Sequence, residues 1–176
     1  KPVLSLDGNG DMASDYFTLW VTMSRTRYAI SRLREAELQP LGISPEQAAM
    51  LLMIKGLNNQ ATPAEIARWL FRKPNTISVM LKSLELKKLV SRSNDKYAKN
   101  IIRVSLTEHG EQVLGTASQR VSIINVMSVL NEEECKYLSK CFKKLMLAAA
   151  DELGIDHRPA LPSEDWYIAQ RGACDK

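Results

Sequence analysis

Two short helices in close succession, followed at once by two strand-like segments, restrict the possible folds of this chain more than any other pattern in it. The first helix begins at Thr62-Pro63-Ala64-Glu65, which combines a capping box with a proline in the first turn. After the brief connection 71–73, Pro74 begins a second helix whose apolar side chains recur at helical spacing. Two short helices joined by a turn of about three to four residues form a helix-turn-helix.

The hydrophobic period changes after Glu85 from that of a helix to that of a strand. Residues 89–92 form one predicted strand, and residues 101–106 form a second in which Ile102, Val104 and Leu106 alternate with polar residues. A polar, mostly charged loop separates the two. Because a strand pair directly after a helix-turn-helix is the arrangement of a wing, the sequence predicts a winged helix-turn-helix.

Further helices are predicted on both sides of this unit. Apolar residues three and four positions apart predict a helix over 15–38, and the capping box Ser44-Pro45-Glu46-Gln47 begins another. On the C-terminal side, one long helix is predicted over 107–127 and a last helix over 131–153. The terminal helices carry more apolar surface than a small winged domain can cover, so we expect the chain to self-associate through them.

These elements predict a mainly α fold with a small β-hairpin wing and a helical dimerisation region. The predicted divisions are an N-terminal extension (1–14), the dimerisation region (15–43 and 107–154), the winged helix-turn-helix (44–106) and a C-terminal tail (155–176).

Charge is concentrated in the winged segment. Residues 63–103 carry ten basic and three acidic side chains, a net charge of +7 in a chain whose total is +4. The basic residues are Arg68, Arg72, Lys73, Lys82, Lys87, Lys88, Arg92, Lys96, Lys99 and Arg103. Such a concentration suits a surface that contacts the DNA phosphate backbone, although many solvated helix faces are also basic.

The outward side of the helix that begins at Pro74 is the predicted recognition surface. It carries short polar, methyl-bearing and basic side chains, which are the types that reach base edges in the major groove. The candidates are Lys73, Asn75, Thr76, Ser78, Val79 and Lys82. The alternative is an ordinary solvated helix face, and the basic wing beside it favours DNA.

The wing supplies a second set of candidates, placed to lie along phosphates or to enter the minor groove. This set, with its flanks, is Arg72, Arg92, Lys96, Tyr97, Lys99 and Asn100. Asp95 is expected to hold the shape of the loop through its side chain. The alternative is a charged hairpin that its lysines keep soluble.

The winged segment resembles the MarR family of bacterial transcription regulators, and the likeness extends over residues 15–150. It is carried by Pro63-Ala64-Glu65-Ile66-Ala67, Leu84-Glu85-Leu86-Lys87-Lys88-Leu89-Val90-Ser91-Arg92 and Val104-Ser105-Leu106-Thr107-Glu108-His109-Gly110. The resemblance implies a homodimer joined by its first and last helices. It also implies binding to a pseudo-palindromic double-stranded operator, as a repressor or an activator, often with release by a small molecule.

Three positions depart from the family pattern. Ala98 and Lys99 stand where an Asp-Arg pair is usual at the wing tip, and lysine lacks the planar fork of arginine. Val79 stands where a basic residue is common, which suggests a different base preference. Phe71 replaces a usual glycine in the turn between the two short helices.

The resemblance also implies an effector site for aromatic anions between the dimer helices and the DNA-binding lobe. The candidate ligand-binding residues are Trp20, Arg27, Tyr28, Met50 and Trp69, with Arg27 as the counter-ion, and Met53 beside them. The alternative for each is a place in the core or a stem that snorkels to solvent. Peroxide sensing is not expected, because the thiol-sensing branch has its cysteine in the first helix and this chain has none there.

Other functions are not expected from this sequence. No Gly-rich phosphate loop, metal constellation or Ser/His/Asp grouping occurs, so we expect no enzyme activity, no cofactor and no metal. The cysteines Cys135, Cys141 and Cys174 form no CxxC, and no run approaches the roughly 18 apolar residues of a membrane span, so we expect a cytoplasmic protein away from membranes. A winged helix used for protein–protein docking without DNA is the alternative function.

Overall fold

The computed structural model describes residues 10–95, 98 and 100–154 as a helical chain with one β-hairpin. Its elements in chain order are α1 (Gly10–Leu38), a 3-10 turn (Gln39–Leu41), α2 (Pro45–Gly56), α3 (Pro63–Trp69), α4 (Pro74–Leu86), β1 (Val90–Asn94), β2 (Ile102–Leu106), α5 (Glu108–Ala117), α6 (Val121–Met127) and α7 (Glu132–Glu152). The predicted fold class, mainly α with a hairpin wing, is confirmed.

The first predicted helix is longer than expected and the long C-terminal helix is not continuous. Helix α1 begins at Gly10, five residues before the predicted start. The prediction of one helix over 107–127 was wrong, because Arg120 has a left-handed backbone (φ 50°) that separates α5 from α6. Apolar residues keep helical spacing on both sides of the break, so their periodicity gave no sign of it. Threonine, serine and glycine just before it have low helix propensity and weaken the helix there.

The hydrophobic core lies within the winged lobe, which comprises α2 to α5 and the hairpin. Fully buried side chains of α2, α3, α4 and β2 meet there, among them Leu51, Ile66, Leu81 and Val104. The wing joins this core through antiparallel pairing of β1 with β2, from Val90 opposite Leu106 to Asn94 opposite Ile102. An isolated bridge between Ala61 and Val104 fastens β2 to the segment before α3.

Helices α1, α6 and α7 contribute little to this core, which includes only Leu38 among their described side chains. Leu38 and Ala150 are the two side chains that they bury among the described residues with an assigned burial. Within residues 10–95, 98 and 100–154, no single helix has the length and hydropathy of a membrane span. The pair Glu108–Met127 and Glu132–Glu152, bent by 110°, meets those criteria only when taken together.

Gly110 allows α5 to begin against the hairpin. A Cβ atom at this position would lie 2.0 Å from the backbone oxygen of Leu89, a contact that no side-chain adjustment relieves. The same oxygen accepts a hydrogen bond from the N–H of Thr107, and the Thr107 hydroxyl caps α5 at the Gly110 N–H. Steric exclusion of a Cβ atom therefore explains why a glycine stands at position 110, four residues after Leu106.

We expect Gly110→Ala to lower the free energy of unfolding by about 2–3 kcal/mol, because the new methyl group would force two backbone segments apart. Gly115→Ala, in the same helix, is the matched control, since a Cβ there meets nothing within 4 Å. It should raise the free energy of unfolding by about 0.5–1 kcal/mol. Urea denaturation measures both, and equal effects of the two substitutions would contradict the steric explanation.

Candidate nucleic-acid interface

The outward face of α4 is exposed along its whole length. Ile77, Leu81 and Leu84 bury the inner face, which turns the predicted recognition residues toward solvent. Lys73, Asn75, Thr76, Ser78, Val79 and Lys82 are all exposed. Val79 is 71% exposed. The face has the width and the side-chain types that the major groove admits.

The C-terminal half of α4 is fastened to the start of α2 by polar side chains. The buried Gln47 donates a hydrogen bond from Nε2 to the hydroxyl of Ser83 (3.1 Å). Lys87 donates from Nζ both to Oε1 of Gln47 (2.9 Å) and to the Gly42 carbonyl (2.6 Å). Gln47 also closes the capping box of α2 with Ser44. Its side-chain amide therefore makes hydrogen bonds to the N-cap residue of α2 and to a residue of α4.

The turn between α3 and α4 explains one departure from the family pattern. Phe71 has a left-handed backbone (φ 51°), a conformation that glycine adopts without cost and that other residues adopt at a cost of about 1–2 kcal/mol. Arg72 and Lys73 follow it in exposed positions at the start of α4. Both basic side chains therefore flank the recognition face, as the sequence predicts.

An ion pair organises the base of the wing. Asp95 accepts hydrogen bonds from the Ala98 N–H (3.0 Å) and from Nε of Arg103 (2.7 Å). A second guanidinium nitrogen of Arg103 donates to the Gln60 carbonyl (2.8 Å). Asp95 thus holds the loop, as predicted, and Arg103 connects the loop to the turn before α3.

The other wing candidates have different outcomes. Lys96, Tyr97 and Lys99 lie outside the described residues, and Asn100 is exposed. Arg92 is engaged by Glu85 of α4 at 2.8 Å, which ties β1 to the recognition helix. Its guanidinium therefore has a structural role in addition to any contact with phosphate.

Sequence reasoning missed the side chains that fasten the wing and α4. Arg103 was counted only as one of the basic residues, and Gln47 only as a capping residue. The Gln47–Ser83 and Arg103–Gln60 contacts join positions 36 and 43 residues apart. A local pattern carries no signal for such pairs.

Among the residues that the structure describes, the five effector candidates differ widely in burial. Met50 is completely buried in the core, whereas Trp20 and Tyr28 are 59% and 66% exposed on α1. Arg27 is exposed and Trp69 is half-buried. A different cleft, of about 160 Å³, lies between α1, α2 and the end of α5. Its lining is Arg34, Pro45, Ala48, Ala49, Leu52, Leu114, Ala117, Ser118 and Arg120.

A polar cluster lies at the edge of this cleft. Arg34 pairs with Glu37 at 2.7 Å and donates a second hydrogen bond to the Ala117 carbonyl (2.5 Å). The hydroxyl of Ser122 donates to the Glu37 carboxylate. Burial works to raise the pKa of Glu37, but the hydrogen bonds from Ser122 and Arg34 outweigh it and hold that pKa below its ordinary value. Glu37 is therefore ionised at neutral pH.

Potential metal ligands do not cluster in the part of the chain that the structure describes, where no three His, Cys, Asp or Glu side chains form a group able to hold an ion. Cys135 and Cys141 are free, half-buried thiols on α7. Cys174 and His157 lie outside the described residues.

Comparison with curated proteins gives a sequence relative of known role. The chain is 29% identical over 116 residues to the HTH-type transcriptional repressor MdtR of Bacillus subtilis (strain 168), across 64% of this chain and 73% of that protein. No protein-family model matches the chain.

Solved structures of regulators share the fold. A ligand-bound form of the organohalide-sensing transcriptional regulator RdhR superposes with a TM-score of 0.77 at 24% identity, covering 90% of this chain and 95% of that one. A mutant of Escherichia coli MarR in complex with operator DNA gives a TM-score of 0.69 at 24% identity, covering 77% of this chain and 98% of that one. The resemblance predicted from the sequence is confirmed: the chain has the winged helix-turn-helix fold of the MarR-family transcription regulators.

Proposed function

We propose that this protein is a transcription regulator that binds a pseudo-palindromic DNA operator as a homodimer in the bacterial cytoplasm. The observation that carries the proposal is the outward face of α4, which is exposed throughout and adjoins a wing fastened at its base. The similar E. coli MarR is found in complex with operator DNA, and the similar B. subtilis MdtR is a transcriptional repressor.

The charge of the winged lobe supports DNA over a protein partner. A docking module without DNA would leave its α4 face and wing close to neutral, whereas residues 63–103 carry a net charge of +7. Lys82 is exposed on the α4 face itself, and Lys73 is exposed at the N-cap of that helix. Exposed cations along a groove-sized helix favour phosphate contact, which supplies most of the affinity of such proteins for DNA.

Replacing Lys96 and Lys99 together with alanine should weaken binding to all duplexes and reduce the dependence of affinity on salt. Each lost phosphate contact reduces the magnitude of the slope of log K against log salt by about 0.9. The four lysines of a dimer should therefore reduce this magnitude by about 3–4 in total. Fluorescence anisotropy at several salt concentrations measures this slope.

The matched control is Lys140→Ala with Lys144→Ala, which removes the same charge from exposed positions of α7. Its salt slope should stay near that of the wild type. Asn75→Ala should behave differently again, changing the preference among sequences by about 1–3 kcal/mol with little change in slope. Equal slopes in the wing variant and the wild type would contradict the wing contact.

The homodimer is proposed from the apolar surface that α1, α6 and α7 leave uncovered. Along these helices the exposed large apolar side chains include Phe17, Leu19, Trp20, Leu33, Val121, Ile124, Phe142 and Leu145. Monomeric proteins rarely expose an apolar surface of this extent, and a second copy of the same helices is complementary to it by symmetry. Two recognition helices would then meet half-sites about 10 bp apart.

Phe142→Glu combined with Leu145→Glu should convert the dimer to a monomer, because two carboxylates per chain cannot be desolvated in an apolar interface. Sedimentation equilibrium distinguishes the mass of two chains from that of one. Leu86→Glu is the control, since Leu86 is equally apolar and 78% exposed but lies on α4. A variant that stays dimeric would place the interface elsewhere.

We further propose that an aromatic anion binds in the cleft between α1, α2 and α5. Arg34 and Arg120 lie among otherwise mainly apolar lining residues, a combination that suits an aromatic ring with one negative charge. The similar regulator RdhR is known in a 2,4-dichlorophenol-bound form. This proposal replaces the five residues that the sequence indicated.

Salicylate is a suitable probe, and neutral phenol is its uncharged counterpart. Arg34→Gln should weaken salicylate binding about tenfold or more, as expected for one charge-assisted hydrogen bond, and leave phenol binding nearly unchanged. Isothermal titration calorimetry measures both affinities. Equal salicylate affinity of the variant and the wild type would remove Arg34 from the site.

A further inference from the structure

Two left-handed residues mark the connections between the winged lobe and the outer helices. Gly42 (φ 65°) joins α1 and its 3-10 turn to α2, and Arg120 (φ 50°) joins α5 to α6. At each point the helix ends and the chain changes direction, so no continuous helix runs from the lobe into the outer helices. The angle between the lobe and α1 therefore depends on contacts that cross these connections.

The bond from Arg34 to Ala117 is a contact of this kind, and Glu37 with Ser122 holds the adjoining start of α6 to the same turn of α1. We call Arg34, Glu37 and Ser122 the latch. Arg34 bonds the carbonyl of Ala117, the last residue of α5, and Glu37 accepts from Ser122, the second residue of α6. The latch thus holds both sides of the α5–α6 break to one turn of α1. Its Arg34 and Glu37 side chains are only 12% and 23% exposed.

The bond to Ala117 acts on the backbone itself. The last carbonyls of a helix lack partners within the helix, and a guanidinium that satisfies one of them fixes the helix end in position. Arg32 and Glu35 provide a contrast on the same helix at the same spacing. They pair at 3.4 Å and are 66% and 47% exposed, as expected for an ion pair that lies on the surface of α1 and connects no other element.

We propose that the latch sets the spacing between half-sites that the protein accepts on DNA. The inference rests on the proposed function, in which α1 and α7 join two chains and each lobe carries one recognition helix. The distance and rotation between the two recognition helices then follow from the angle that the latch fixes. One added base pair moves the half-sites apart by about 3.4 Å and turns them by about 34°.

The test uses duplexes that carry two inverted copies of the half-site selected by the wild-type protein, with centres 9, 10, 11 or 12 bp apart. The wild type should bind the duplex of one spacing with at least about tenfold higher affinity than those of neighbouring spacing. Every other spacing requires the DNA to be twisted away from its relaxed form. Ser122→Ala and Arg34→Gln should reduce this preference to within about threefold, since a freed lobe adjusts its angle. Arg32→Gln, the matched control, should keep the wild-type profile.

Amide hydrogen exchange gives a second measurement that does not require DNA. Ser122→Ala should accelerate exchange at the Ser118 and Ile124 amides, which bond across or beside the break, without changing the Leu81 amide in the core. A uniform loss of affinity at all spacings, or exchange that is unchanged at the break, would overturn the latch. Failure of the wild type to prefer any duplex would instead reject the proposed function.

Discussion

Burial of Ile77, Leu81 and Leu84 is the interaction on which the candidate interface depends. These side chains are completely buried and anchor the inner face of α4 in the lobe core, so the other face of the same helix remains exposed. A helix without such an anchor would not hold its polar side chains in a fixed direction. The geometry of recognition therefore begins with hydrophobic packing rather than with the polar residues themselves.

Polar side-chain contacts add to this hydrophobic packing and fix the orientation of α4 and the wing. Gln47 and Lys87 hold the end of α4 to the α1–α2 connection, and Arg92 holds β1 to Glu85 near the same end. Arg103 fixes the wing loop to the turn before α3. Because each of these side chains bridges two elements, α4 and the base of the wing belong to one unit.

The sequence predicted the elements whose signals are local. The predicted capping boxes at Ser44 and Thr62 are both present, and the alternation in β2 correctly indicated the strand. The break at Arg120 was missed, because apolar residues keep helical spacing on both sides of it. The exposed face of α4 was predictable because a helix has a fixed period.

The fastening residues and the cleft depend on tertiary structure and were not predictable in this way. Arg34 meets Ala117 across 83 positions, and Ser122 meets Glu37 across 85. Met50 shows a related limit, since the sequence left both an effector site and a place in the core open for it, and the side chain is completely buried. An apolar side chain in a helix carries no sign of whether its neighbours are the core or a ligand.

Hydroxyl-radical footprinting on a duplex chosen by the protein from a random pool tests the central claim most directly. That claim is that the α4 face and the wing of each chain contact the same side of the DNA, in two copies related by symmetry. The account predicts two protected segments about 10 bp apart on one face of the duplex, each flanked by protection in the adjacent minor groove. A single protected segment, or uniform protection without periodicity, would contradict it.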